Sequence, residues 1–220
     1  MASAFSLPPP QEEPPFCVDG VPLLTFSWQL PQLPGKGQLN RYYRSCRDAF
    51  FRTCRREVFP LAQEEYRLAL EGKAPLPQWQ ARLTTTVTFN GGTMLSLHTD
   101  AVIRGMAQRY VLRRGDTWDI RRQLPIPMRT FFPPRTALRR ILCDTAAQQI
   151  AREEEVGLSR YHPHWQQLLR RSFHPHRFFL SGEGLHFFYP LYAIAPAAEG
   201  IPTFCLPYDQ EKGPFTPAEA

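Results

Sequence analysis

The spacing of apolar positions changes period several times along the chain, and each change marks an element. VPLLTFSWQLPQL (21–33) is a near-continuous apolar run interrupted by prolines. That pattern predicts a short strand at a sheet edge, because proline cannot donate to a ladder. PGKGQLN then turns the chain. From Leu39 the apolar residues Leu39, Tyr43, Cys46, Phe50, Cys54 and Val58 recur at three- and four-residue steps, with arginines on much of the opposite side, which predicts a helix. Asn40 belongs in its first turn or at its N-cap. Pro60 is expected to bend it, and LAQEEYRLALEG to continue it as far as a stop at Gly72.

Period two follows. In ARLTTTVTF (81–89), Leu83, Thr85, Val87 and Phe89 alternate with Thr84, Thr86 and Thr88, and Asn90-Gly91-Gly92 is a hairpin signal leading into TMLSLHTDAVI. RYVLRRGDTWDI (109–120) reads as a further strand pair folded around Arg-Gly-Asp. A second helix is expected over 134–155, with Pro134 in its first turn and Leu138, Ile141, Leu142 and Ile150 on one face. Glu153, Glu154 and Glu155 fall at its C-terminal end, where solvent offsets an unfavourable dipole. A short helix in PHWQQLLRRSF, the segment RFFL, a turn at SGEG, the strand LHFFYPLYAI and a last strand IPTFCLPY complete the order. Strand, long helix, hairpins, two helices and a closing hairpin suit an α+β fold, an antiparallel sheet with helices packed on one face.

Composition adds bounds. The chain has 220 residues, 43 % of them apolar, enough for one α+β domain or two small lobes. Its 23 prolines are about twice the usual share. They crowd the start (LPPPQEEPP) and the end (GPFTPAEA), so residues 1–20 and 210–220 read as flexible tails. The net charge of +6 does not imply nucleic acid: 23 of the 26 basic residues are arginine, spread along the chain rather than gathered in a tract. Five cysteines without a Cys-x-x-Cys pair read as free thiols in a reducing compartment. Cys46 and Cys54 would stand about 12 Å apart along one helix, beyond disulfide reach. The start lacks a basic region followed by an apolar core, and no run approaches a membrane span, so the expected location is cytoplasmic, without membrane association.

The stretch YHPHWQQLLRRSFHPHRFFL raises the question of a metal. A His-Pro-His in extended backbone can aim two imidazoles to one side. Here, however, His162 and His164 precede the short helix while His174 and His176 follow it, about 15 Å away across roughly ten helical residues. Pro163 and Pro175 fit helix start and stop signals. The expectation is therefore no metal and no cofactor, with these four histidines as the alternative ligands. No Gly-x-Ser-x-Gly, Walker loop or Gly-x-Gly-x-x-Gly occurs. Asp100, Asp116, Asp119 and Glu183 are dispersed at strand ends and turns. Cys143 on a helix face and Cys205 in an apolar strand are poor thiolates, and His98 and His186 suit hydrogen-bonded structural roles. The reading is non-enzymatic.

The closing stretch LSGEGLHFFYPLYAIAPAAEGIPTFCLPY (180–208) resembles the C-terminal motif of the RsiV-type family of domains of unknown function. That family includes the extracellular part of the anti-sigma factor RsiV and the non-catalytic region of the deacetylase PdaC. Its pattern is an aromatic strand, a Tyr-x-Ile-Ala-Pro-x-Ala-x-Gly turn and a strand ending in Ile/Leu-Pro-Tyr. Tyr192, Ile194, Ala195, Pro196, Ala198, Gly200, Leu206, Pro207 and Tyr208 match. GDTWDI, FFPP and the His-Pro-His helix resemble upstream parts of the pattern, and FSWQLPQLPGKGQLNRYYRSC its N-terminal region, so the likeness spans about 21–209.

The resemblance implies a binding or sensory domain with a protein or cell-envelope glycan as ligand. It points to Tyr189, Tyr192, Pro196, Gly200 and Gly105 as ligand-binding residues. Two departures separate this chain from lysozyme recognition, the known property of RsiV. HTDAVIRGMAQRY stands where many members keep a Gly-Gly-Ala-His loop, and Arg121-Arg122-Gln123 replaces a Thr-Gly turn. The alternative is a cytoplasmic protein–protein interaction module using an aromatic face (Phe187, Phe188, Tyr189, Tyr192). The expected organisation is a tail (1–20), a strand with a long helix (21–80), an RsiV-like α+β region (81–209) and a tail (210–220), as a monomer.

Overall fold

A computed structural model describes residues 7–106, 108–158 and 160–217. The chain is α+β, with nine strands and four α-helices among these residues. Strands β1 (Gln11–Val18), β2 (Val21–Gln29), β3 (Trp79–Gly91), β4 (Met94–Arg104), β5 (Arg109–Asp119) and β6 (Leu124–Pro125) pair in sequence order. Strands β7 (Phe178–Leu180), β8 (Gly184–Phe188) and β9 (Thr203–Pro207) form a second, three-stranded sheet. Two compact units share the chain: Phe5–Thr85 with Thr99–Leu112, called the α1 unit below, and Thr86–His98 with Arg113–Ala220, the α3 unit. Among the described residues, no helix is long and apolar enough to cross a membrane.

In the α1 unit the proline-rich start is no tail. Gln11–Val18 pairs antiparallel with β2, and its register shifts by one residue between Glu13 and Phe16, where Pro14 and Pro15 sit. A bulge on an edge strand is where two missing N–H donors cost least. β1 thus takes the edge position expected of β2, and β2 is interior, with Leu23, Leu24 and Phe26 almost fully buried. The sheet is not wholly antiparallel either, since β2 and β3 run parallel in the register Leu24↔Trp79 to Gln29↔Thr84. Parallel neighbours need a long crossover, which α1 (Gly37–Thr53) and α2 (Phe59–Leu70) supply.

Asn40, in the first turn of α1, donates to the Leu33 carbonyl (2.8 Å) and accepts from the Leu33 N–H (2.9 Å), tying the entry loop to the helix. A π-helical turn at Cys54–Val58 joins the two helices, and Pro60 stands in the first turn of α2, where its missing donor is harmless. Gly72 ends α2 at φ +71°. Phe16, Phe26, Phe50, Phe51 and Phe59 pack between β1, β2 and the helices, with ring centroids 5.1–5.7 Å apart.

In the α3 unit, Arg113-Arg114-Gly115-Asp116 makes no turn, because β5 runs unbroken from Arg109 to Asp119. Gly115 is there for closeness: a Cβ on it would stand 1.9 Å from the Phe178 carbonyl oxygen. α3 begins at Leu138 rather than at Pro134. Before it, the Thr136 hydroxyl donates to the Pro133 carbonyl (2.7 Å), a local turn that competes with helix. Helix α3 (Leu138–Glu155) packs on β9 and on α4 (Trp165–Ser172). Leu142, Ala146 and Ile150 of α3 share a core with Leu169, Phe178, Leu180, Phe187 and Phe204. The C-terminal segment is also less tail-like than expected. Gly213 and Pro214 are buried, and the Phe215 N–H donates to the Phe131 carbonyl (2.7 Å). The ends of both expected tails, 1–6 and 218–220, lie outside the described residues.

Candidate functional site

The five residues expected to bind ligand do not form one site. Tyr189 is 1 % exposed, edge-on to Phe187 and Phe204, with its hydroxyl 3.9 Å from Cys143 Sγ. Burial raises its pKa far above the phenol range. It is a core residue, as are Phe187 and Phe188, so the expected aromatic face is an interior one. Tyr192 differs: it is 63 % exposed and takes a left-handed backbone conformation at φ +66°. Pro196 and Gly200 flank the 3-10 turn Ala197–Glu199, and Gly200 has the positive φ (+75°) expected of it. Gly105 belongs to the α1 unit, closing β4 with its N–H on the Gln108 carbonyl (2.8 Å). A Cβ there would meet the Trp79 ring at 2.7 Å, which explains the glycine by packing.

The four His-Pro-His histidines bracket α4, as the prolines predict. His164 is its N-cap, in left-handed backbone at φ +62°. The first pair has a structural task that the spacing alone did not reveal. His162 donates its backbone N–H to the Ile194 carbonyl (2.9 Å), and its Nε2 lies 3.3 Å from the Tyr192 carbonyl, holding the Tyr192–Ile194 turn against the start of α4. His174 and His176 face each other at 5.3 Å between ring centroids.

Two other groupings emerge. The first is a cleft of about 300 Å³ in the α1 unit, lined by Pro8, Pro9, Trp28, Tyr43, Arg44 and Arg47 among others. The Gln29 side-chain amide donates to the Pro8 carbonyl (3.0 Å) and holds the N-terminal segment beside it. The Arg47 guanidinium lies 5.3 Å from the centre of the Trp28 ring and pairs with Asp48 at 2.7 Å. An apolar wall with Arg44 beside it suits a ligand that carries a carboxylate next to an apolar face. Sequence reading put these residues on a strand and a helix, and only the β2–α1 turn brings Trp28 to Arg44 and Arg47.

The second grouping is Glu183, His186 and Cys205 in the α3 unit, whose ligand-capable atoms all lie within 4.8 Å of one another. His186 and Cys205 face each other across β8 and β9, and Glu183 stands in the β7–β8 turn. The expectation that His186 is hydrogen-bonded holds, with Nε2 2.8 Å from Ser181 Oγ. Burial raises the Cys205 thiol, and elsewhere it pushes the Cys54 thiol up to about 12 and raises that of Cys143.

Residues 129–209 match a family described as a protein of unknown function (DUF3298). No curated protein matches the chain. Among solved structures, a DUF3298 family member from Bacteroides fragilis superimposes with a TM-score of 0.62 at 15 % identity, covering 94 % of this chain and 92 % of that one. A DUF3298 family protein from Pseudomonas aeruginosa does so with a TM-score of 0.57 at 16 % identity, over the same shares. The chain therefore has the fold of these two DUF3298 structures and carries the family's sequence pattern over residues 129–209.

Proposed function

We propose that this protein is a non-catalytic binding domain and that its ligand, a carboxylate-bearing glycan of the cell envelope, enters the cleft at Trp28. The cleft carries the reading. Trp28, Tyr43, Pro8 and Pro9 give the cleft an apolar wall, Arg47 stands over the Trp28 ring while paired with Asp48, and Arg44 lines the same space with positive charge. Raised thiol pKa values at Cys54, Cys143 and Cys205 argue against cysteine nucleophiles. The RsiV-type resemblance supports a sensory or binding role. Lysozyme recognition is not part of the proposal, since the Gly-Gly-Ala-His loop is missing.

Calorimetric titration of the full chain with soluble muropeptides tests this. Saturable binding that weakens at least tenfold in Arg44→Ala and Arg47→Ala, and is unchanged in Tyr192→Ala, is the expected result. Binding that survives both arginine changes, or none at all, overturns it. A protein partner is the second reading, supported by five free thiols, which suit a reducing compartment. Tyr110 and Leu112, which share one side of β5 and are 53 % and 67 % exposed, also favour it. Capture of one protein, lost in Leu112→Asp and kept in Arg44→Ala, would favour that reading over the glycan.

A further inference from the structure

We infer that Glu183, His186 and Cys205 form a binding site for a zinc-class divalent ion. The three side chains bring carboxylate oxygen, imidazole nitrogen and thiol sulfur within 4.8 Å of one another, close enough for small rotations to place all three on one ion. Oxygen, nitrogen and sulfur donors are the set zinc accepts, at about 2.0–2.3 Å.

The site is held by backbone rather than by chance meeting of long side chains. His186 and Cys205 are directly opposed in antiparallel register, so their side chains leave the same face of the sheet. Gly184 keeps the strands tight there, since a Cβ on it would fall 2.3 Å from the Leu206 carbonyl oxygen. Gln149 on α3 clamps the Cys205 backbone from both sides, donating to its carbonyl (2.6 Å) and accepting from its N–H (3.3 Å).

Ser181 supplies the outer partner. Its hydroxyl contacts His186 Nε2 (2.8 Å) and accepts the Glu183 N–H (3.1 Å), so one residue orients two of the three ligands. Ligating histidines usually have their second ring nitrogen fixed in this way. Three protein ligands leave a fourth tetrahedral position for water or for a donor from another molecule. Binding converts the Cys205 thiol to thiolate, with its proton released to solvent. This site belongs to the α3 unit and does not depend on the cleft reading.

The test uses the full chain, stripped with chelator and titrated with Zn²⁺ against a chromophoric competitor, then with Co²⁺ followed by absorption. One equivalent of ion should bind, with a thiolate-to-cobalt charge-transfer band and release of a proton, read with an indicator in weakly buffered solution. Cys205→Ser should remove the band, while Cys46→Ser should keep it. Ser181→Ala, which leaves all ligands in place, should weaken binding about 10–100-fold. No stoichiometric ion, or a band that persists in Cys205→Ser, sinks the inference. So does binding lost only when His162 and His164, or His174 and His176, are replaced. Circular dichroism of each variant separates lost binding from lost fold.

Discussion

Ser96 shows how much one hydroxyl can hold. It is fully buried on β4, its Oγ lies 2.8 Å from the Thr117 hydroxyl on β5, and it accepts the Leu180 N–H of β7 at 2.8 Å. Ser96→Ala leaves that strand donor with no acceptor in a dry place, so it should cost about 1–3 kcal/mol. Chemical denaturation would read the loss, and Ser96→Val should be worse, since it adds bulk to a fully buried place as well as removing the acceptor. Cys54 makes a different point. Its thiol is pushed from 9.0 to about 12 by burial, so the folded state keeps a proton that the unfolded chain gives up. The contribution is intact below pH 9 and is lost as pH rises from 9 towards 12. Urea midpoints measured across that range should fall, and Cys54→Ala should flatten the slope. An unchanged slope in the variant would remove Cys54 from the account.

At the scale of elements, Gly115 separates what pattern could and could not show. The glycine of Arg-Gly-Asp reads as a turn, yet it continues β5, and the β7 backbone passes where a side chain would be. Gly115→Ala should therefore destabilise by about 3 kcal/mol, through overpacking against backbone that cannot rotate away. Hydrogen exchange should show protection lost first in β5 and β7. The helix from Leu39, the Asn90-Gly91-Gly92 hairpin and the closing β8–β9 pair were legible because each is written in local periodicity or turn chemistry. β1 was not, since prolines suppress the strand signal and only its pairing with β2 reveals the bulge that accommodates them. The parallel β2–β3 pair was implicit in a long helix between two strands, but register is a long-range property. The same limit hid the cleft and the Glu183–His186–Cys205 cluster. Each joins residues distant in the chain, Pro8 to Arg47 in the cleft and Glu183 to Cys205 in the cluster, whereas the His-Pro-His repeat, conspicuous in sequence, caps a helix and pins a turn.

At the scale of the whole molecule, the two units are interleaved along the chain: residues 86–98 enter the α3 unit and residues 99–112 return to the α1 unit. The stretch that carries the family pattern, 129–209, therefore lacks part of the unit it belongs to. Cut out alone, it would lose Ser96 and Thr117, and its Leu180 N–H would meet water or nothing. Such a fragment should give a spectrum with helix but no cooperative melting, while one beginning at Thr86 should recover a transition. The stretch that relates this chain to other proteins is thus expected to need its neighbouring strands in order to fold. Grafted alone into another chain, 129–209 is expected to arrive as a peptide that does not fold, and to fold only where the strands carrying Ser96 and Thr117 travel with it.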